Sequence, residues 1–401
     1  MARSFCVTVS PPQEQGRAPL LRVLGPIASA LGEARSAVER PAGGLVFVSG
    51  ALTRDLASVV DRVRTEWRGV PVVIVPAAGV LTERGEIEGQ SALAGVIWSG
   101  GRATVAAADS AGEAEPGRAL AEMLGATVGD RSATAVLFAR PDSFQPELLE
   151  GIVEAAPRLC VLGAGTAGGA ALALTADGDV HRGPIAGLIV TGLAAPVAEA
   201  SPACRVLTQF EPIDEASGGL VLRVGGRPAL EVLSSCASAI GGGEGEARPL
   251  VFAVLADDSE PAEPELDPDE GPPARFVVRS VRGIDPSRRG VMVGPEAQPG
   301  VRLAFAVRDA ALARQHLEGT ARRVAKRAMG AAPRFALYLS CAGRGQGLYG
   351  APDVDVRILR QRFGDLPVAG MHSSFEIAPF GPGRARMQLY TGVLALFRSP
   401  S

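Results

Sequence analysis

This chain has few of the residues on which catalytic and metal chemistry usually rests. Its 401 residues include five cysteines and three histidines, and Lys326 is the one lysine. Cys6, Cys160, Cys204, Cys236 and Cys341 are odd in number and widely spaced, with no CxxC pair, which argues against a disulfide framework or a cysteine-type structural zinc site. Lys326 follows Ala325 where a Walker phosphate loop needs glycine, so nucleotide hydrolysis of that kind is excluded. His181, His316 and His372 stand in no HExxH or paired-histidine context, and no GxSxG nucleophile turn occurs. Forty basic against 43 acidic residues leave a net charge of -3, without the basic footprint of a nucleic-acid binder or any attraction to anionic lipid. The most apolar window, residues 159–174, is broken by glycines and falls short of the roughly 20 residues needed to cross a bilayer. The opening residues MARSFCVTVSPP lack the apolar core and cleavage site of a signal peptide. The expectation is a soluble, cytoplasmic protein with neither nucleic acid nor membrane as partner.

What the chain does have is a repeat. An apolar strand, an amphipathic helix, a second apolar strand, a glycine-containing loop and a closing strand recur three times. The first copy runs from LVFVSG at Leu45 through the helix DLASVVDRVRTEW, PVVIV and the loop PAAGVLTERGEIEG to SALAGVIWSG, ending at Gly100. The second runs from ATAVLFAR at Ala133 to PIAGLIVTG at Gly192, and the third from RFALYLSCAG at Arg334 to LYTGVLALF at Phe397. With 47% hydrophobic residues the chain can bury a full core. Each closing strand follows its loop too directly for another helical crossover, so the expected fold is α/β (α+β) with mixed, largely antiparallel sheets covered by helices, in two related halves. The division is expected near Pro202, giving domains 1–202 and 203–401. Residues 257–273 hold eight acids and five prolines and read as a solvated excursion, not a calcium loop, because the acids lack EF-hand spacing.

Three comparable loops at comparable strand ends form the natural place for a ligand. GAGTAGG in the second loop places Gly163, Gly165 and Gly168 in the dinucleotide pattern, yet only AALAL follows before a turn signal, too little for the helix that would receive a pyrophosphate. Cys341 ends a buried-looking strand near Arg344, a setting for thiol chemistry with no neighbouring base in the sequence. His372 opens the third loop beside Ser373, Ser374 and Glu376.

The segments SCAGRGQGLYG from Ser340, FGDLPVAG, and EIAPFGPGRARMQLYTGVLALF from Glu376 resemble the FIST family. GRPALEVL from Gly226, VRGIDPSRRGVMVG from Val281 and VRLAFAVRDAALAR from Val301 are similar to the same family, as are LVFVSG, VIVPAAGV and RGEIEGQSAL in the N-terminal half. The resemblance implies a FIST N-like domain followed by a FIST C-like domain in a sensory, signal-transducing protein. It further implies that the protein is not an enzyme, takes an amino acid or related metabolite, and signals through a downstream protein. In this reading Gly79, Gly165 and Gly343 allow close backbone approach, Thr166, Ser373 and Cys341 line the ligand, Arg344 holds a carboxylate, and Glu376 accepts from an amine. No cofactor or metal is expected. Some members of the family bind haem and sense nitric oxide, and the alternative is that His372 or His181 is an axial ligand here; a non-catalytic scaffold is the second alternative. Two departures from the family pattern stand out: Pro76, Ala77 and Ala78 replace a polar stretch before Gly79, and His372, Ser373, Ser374 and Phe375 precede Glu376 in place of a glycine-rich one.

Overall fold

A computed structural model describes residues 1–9, 19–108, 114–123, 133–239, 250–256, 276–380 and 384–400. The acidic excursion at 257–273 lies outside the described residues. The chain divides into two compact units, one of Met1–Ala200, Thr320–Met387 and Gly392–Ser401, the other of Ser201–Gly319 and Gln388–Thr391. The fold is α+β with mixed, mostly antiparallel sheets, as the sequence implies.

The first unit carries all three repeats. Repeat one comprises β1 (Ala2–Val9), α1 (Pro19–Ser36), β2 (Pro41–Ser49), α2 (Leu56–Glu66), β3 (Val72–Ala77), the hairpin β4 (Gly79–Thr82) and β5 (Gly85–Glu88), and β6 (Ser91–Ser99). Repeat two comprises β7 (Arg102–Ala108), α3 (Ala114–Met123), β8 (Thr134–Ala139), α4 (Glu147–Ala155), β9 (Cys160–Gly165), the hairpin β10 (Leu172–Leu174) and β11 (Val180–Arg182), and β12 (Ile185–Thr191). Repeat three opens with β13 (Ala194–Pro202) and is then interrupted by the second unit. That unit contains β14 (Cys204–Val206), β15 (Glu211–Ser217), β16 (Leu220–Val224), β17 (Arg227–Pro228), α5 (Ala229–Ala239), β18 (Val251–Ala256), β19 (Phe276–Ser280), β20 (Gly283–Asp285), β21 (Gly290–Met292) and β22 (Arg302–Arg308). Its strands form one sheet around Cys204, Phe252, Val254, Val278, Ala304 and Ala306. Repeat three resumes with α6 (Ala310–Arg327), β23 (Pro333–Cys341), α7 (Gly345–Tyr349), α8 (Val354–Phe363), β24 (Val368–Ser373), the hairpin β25 (Glu376–Pro379) and β26 (Ala385–Gln388), and β27 (Thr391–Arg398).

Each repeat builds the same four strands of a sheet: β1-β6-β2-β3, β7-β12-β8-β9 and β13-β27-β23-β24. The two strands of each quartet that flank a helix, such as β2 and β3, run parallel, because α2, α4 or α8 carries the chain back across the sheet between them. In α2 the spacing of Leu56, Val59, Val60 and Val63 puts one apolar stripe on the sheet. The hairpin is not kept by its own repeat. β10-β11 completes the first sheet beside β3, β25-β26 completes the second beside β9, and β4-β5 completes the third beside β24. Repeat two thus serves repeat one, three serves two, and one serves three. At every crossing the backbone is tied by a hydrogen bond: Ala167 N–H to the Pro76 carbonyl at 2.9 Å, Gly165 N–H to the Phe375 carbonyl at 2.7 Å, and Ala78 N–H to the His372 carbonyl at 3.0 Å.

The inner faces of the three sheets share one core that includes Phe47 and Val75, Phe138 and Ala164, and Leu339 and Met371. Phe47 meets Phe138 edge-on at 5.9 Å between ring centroids, and Phe335 stacks between Trp98 and Phe397. No helix among the described residues is long and apolar enough to cross a membrane.

The crossing of the third hairpin onto β9 depends on Gly165. A Cβ there would stand 2.2 Å from Ser374 Oγ and 2.4 Å from Phe375 Cδ1, and Phe375 is backed by Phe144, stacked at 4.8 Å. Gly165→Ala is expected to cost about 1–3 kcal/mol by overpacking, read as a shift of the urea midpoint. Gly347→Ala, where nothing lies within 4 Å, serves as the control. Equal midpoints for the two variants would contradict a tightly seated hairpin.

Candidate functional site

Strand alternation decides which side chains of repeat three meet. Leu337, Leu339, Ala369 and Met371 face the shared core, so Tyr338, Ser340 and His372 face the opposite side, the side of α7 and α8. The corresponding outer faces are apolar in repeat one, with Val46, Val48 and Ile74, and in repeat two, with Ala135, Leu137 and Val161. Among the described residues, repeat three alone places a buried ion pair there.

Arg344 and Asp355 form the centre of that outer cluster, each only 1% exposed. Arg344 Nε donates to Asp355 Oδ2 at 2.9 Å and Nη2 to Oδ1 at 3.2 Å, a two-point fork. Tyr338 OH donates to Oδ2 at 2.7 Å, Tyr349 OH to Oδ1 at 2.7 Å, and Arg344 Nη2 also reaches Tyr349 OH at 2.8 Å. Burial alone would raise the Asp355 carboxyl, but the guanidinium and the hydrogen bonds outweigh it and hold it below the usual range. Burial and the neighbouring negative charge push the Tyr349 phenol up, so it stays a donor. Asp355 also sits in the first turn of α8, where the helix favours negative charge.

Beside this cluster the hairpin donated by repeat one brings two carboxylates to His372. Glu86 and Glu88 are two apart on β5 and therefore share a face. Across the sheet, Glu88 pairs with Gly79 and Gly79 with His372. Gly79 is small for a reason: a Cβ would lie 2.8 Å from His372 Cδ2 and 2.9 Å from the Ile87 carbonyl oxygen. Glu86 Oε1 accepts from Val356 N–H at 3.1 Å, and Glu88 Oε1 from Gln346 N–H at 2.8 Å. His372, 2% exposed, has Nε2 at 3.7 Å from Glu86 Oε2, and neither of its ring nitrogens has a hydrogen-bond partner among the described residues. Burial lowers its proton affinity, but the negative charges of Glu86, Glu88 and Asp355 prevail and raise its pKa above the ordinary value.

The remaining expected site residues lie elsewhere around β24. Ser373 and Cys341 alternate onto the core side, where Ser373 Oγ lies 2.7 Å from Glu376 Oε1 and 2.9 Å from the Ser340 carbonyl oxygen. Glu376 is fully buried and pairs with Ala164 across the sheet. Gly165 and Thr166 form the seat of the third hairpin, with the Thr166 carbonyl accepting from Ser374 Oγ at 3.1 Å. Gly343 N–H points to Cys341 Sγ at 3.4 Å. The expected residues thus fall on two faces of one strand: Arg344, His372 and Gly79 on the outer face, Ser373, Glu376 and Cys341 on the inner. The Arg344 fork, expected to hold a ligand carboxylate, is engaged by Asp355. His181 is exposed on β11, the outermost strand of the first sheet. His372 Nε2, one of the two ring nitrogens that could ligate a haem iron, faces Glu86 Oε2 at 3.7 Å.

Sequence reasoning missed Glu86, Glu88, Asp355, Tyr338 and Tyr349. The Glu-x-Glu spacing in GEIEG was a readable signal for two carboxylates on one strand face. Nothing local to the sequence announces that Tyr338 and Asp355 meet.

Removing one member of the buried pair should be far costlier than removing both. Asp355→Ala leaves the Arg344 charge uncompensated, at about 3–5 kcal/mol by chemical denaturation, while Arg344→Met with Asp355→Leu should recover most of that loss. Because the folded Asp355 pKa lies below its unfolded value, its contribution is fully present above the ordinary carboxylate range and fades as pH falls toward the folded pKa. In a stability–pH series the parent should therefore lose its advantage over the double variant only under strongly acidic conditions; a constant gap down to low pH would contradict the ion pair.

Comparison with known families finds two domains in this chain. A FIST N domain model matches residues 43–227 and a FIST C domain model residues 240–379. The chain is 31% identical over 223 residues to the uncharacterized protein Mb0898c of Mycobacterium bovis, and to the uncharacterized protein MT0897 of Mycobacterium tuberculosis, covering 55% of both partners in each case. It is 29% identical over 276 residues to the uncharacterized protein MT0656 of Mycobacterium tuberculosis, 67% of this chain and 69% of that one. The chain spans about half the length of the first two relatives. FIST domains are associated with sensory signal transduction. With the two domain models together spanning most of its length, the chain belongs to the FIST family.

Proposed function

We propose that this protein is a small-molecule sensor that binds an amino acid or related metabolite around β24 and passes the signal to a partner protein in the cytoplasm. The observation that carries this reading is the asymmetry among the repeats. Two of them complete the same strand order with apolar outer faces, so the fold does not require the buried charge of the third. Buried ion pairs stabilise little relative to apolar packing, and one kept in a single copy out of three is best explained by use. In this reading the ligand lies on the outer face, at Arg344; Glu376 and Ser373 lie on the opposite, core side of β24 and hold that strand from behind. Arg344 is already shaped to a carboxylate; a ligand carboxylate competes with Asp355 for the same fork and, on winning, releases the first turn of α8. Binding is thereby coupled to the position of a helix, the kind of change a partner can read. No covalent step is assigned to Cys341.

A thermal-shift screen of the full chain against the amino acids and related metabolites tests the reading. A ligand at about 100 times its dissociation constant should stabilise by about 2.7 kcal/mol. That shift should vanish in Arg344→Lys, whose point charge cannot reproduce the fork. Silence across the panel would overturn the sensor in favour of a scaffold, and a Soret band after haem loading that is lost in His372→Ala would overturn it in favour of a haem protein.

A further inference from the structure

We infer that Glu86, Glu88 and His372 form a binding site for a divalent transition-metal ion, zinc in first place. The inference goes beyond the sensor reading and does not depend on it. One donor atom from each residue lies within 4.8 Å of the other two, with His372 supplied by repeat three and both carboxylates by the hairpin of repeat one.

The geometry separates this site from an ordinary buried ion pair. An imidazolium and a carboxylate in contact close to hydrogen-bond distance, about 2.7–2.9 Å. His372 Nε2 and Glu86 Oε2 instead stand 3.7 Å apart, both buried and both without a hydrogen-bond partner among the described residues. Two ligands on one tetrahedral ion, with bonds of about 2.0–2.1 Å, stand about 3.3 Å apart, so a small inward shift of either side chain suffices. Buried polar atoms left unpaired are uncommon enough that each needs a reason, and a shared cation satisfies both at once.

The surroundings are built for it. The second oxygen of Glu86 is fixed by Val356 N–H and one oxygen of Glu88 by Gln346 N–H, outer contacts of the kind that orient metal ligands. Gly79 leaves room for the imidazole beside the hairpin, since a Cβ there would stand 2.8 Å from His372 Cδ2 and 3.4 Å from Glu88 Cγ. Glu88 is half-buried, which gives an ion a way in from solvent. Two carboxylates and one imidazole are hard to borderline donors, a set that suits zinc and its first-row neighbours, and three protein ligands leave a coordination position open.

The test is titration of the full chain, stripped with chelator, with zinc chloride and separately with cobalt chloride. The expected result is one ion per chain and visible cobalt d–d absorption of a low-coordinate nitrogen–oxygen site. Glu88→Gln and Glu86→Gln should weaken uptake by about 100-fold or more, beyond the roughly 10–100-fold of losing an outer contact, with unchanged far-ultraviolet circular dichroism. His372→Gln should abolish the cobalt band. Absence of stoichiometric uptake by the parent, or uptake unchanged in both folded glutamine variants and therefore lodged elsewhere, for instance on the cysteines, overturns the site. No amino acid or other metabolite is added in these titrations, so their outcome is independent of the metabolite screen.

Discussion

The structure of the first unit depends on one exchange: the open edge of each repeat's second strand is closed by a hairpin from another repeat. Without it β3, β9 and β24 would each present a row of unpaired N–H and C=O groups, and an exposed apolar edge strand is an invitation to aggregate. Because the exchange runs around a ring, no repeat is complete before all three are present. The pairs that close it, such as Gly79 with His372, join the two ends of the chain. Such non-local pairing is expected to make folding slow, since loop closure must precede the contacts that reward it. The same exchange gives the unit its chemistry, because a hairpin that leaves its own repeat delivers its side chains to a neighbour.

Within that frame the three repeats have diverged on one face only. Their inner faces must agree, since Phe47, Phe138 and Leu339 fill a common core and any one of them limits the others. Their outer faces are each covered by their own helices and are free to differ. Repeat one uses that freedom for a second apolar core around Trp67, Val59 and Ile27, whereas repeat three builds Arg344, Asp355 and two tyrosines into a hydrogen-bonded net. A fully satisfied net of this kind specifies one arrangement of α8, while a partly satisfied one would be worse than an apolar face. The energetic cost of burying charge is thus confined to one repeat, away from the core that all three share.

Periodicity made the repeats legible because helices α2, α4 and α8 and their flanking strands each bury a face against their own repeat. The segments Pro76–Gly89 and His372–Gly383 read as loops for the opposite reason. Part of each is a short strand whose partner lies in a different repeat, so no neighbouring pattern reveals it, and Gly79 and Gly165 look like loop glycines when they serve close strand packing. His372, Ser373 and Glu376 could be named from their place at a strand end. Glu86 and Glu88 could not be connected to His372 from sequence, since their meeting is a property of the ring and not of either segment. Arg344 was found, but its partner Asp355 sits within a helix whose amphipathic pattern gives an acid in the first turn an ordinary explanation.

The two outer-face clusters are not independent of one another, because both end on the same turn of α8. The Asp355 side chain holds the Arg344 fork, and the adjacent Val356 N–H holds Glu86 Oε1, fixing the carboxylate that faces His372. Displacing Asp355 from the guanidinium moves the turn that orients Glu86; drawing Glu86 toward His372 pulls on the turn that presents Asp355. If both clusters bind as proposed, binding at one alters affinity at the other, and by linkage the effect is equal in both directions. α7 has five residues and α8 ten, and both lie on the far side of β23 and β24 from the shared core. The polar face thus joins the two charged clusters through one turn of α8, away from the core that all three repeats share.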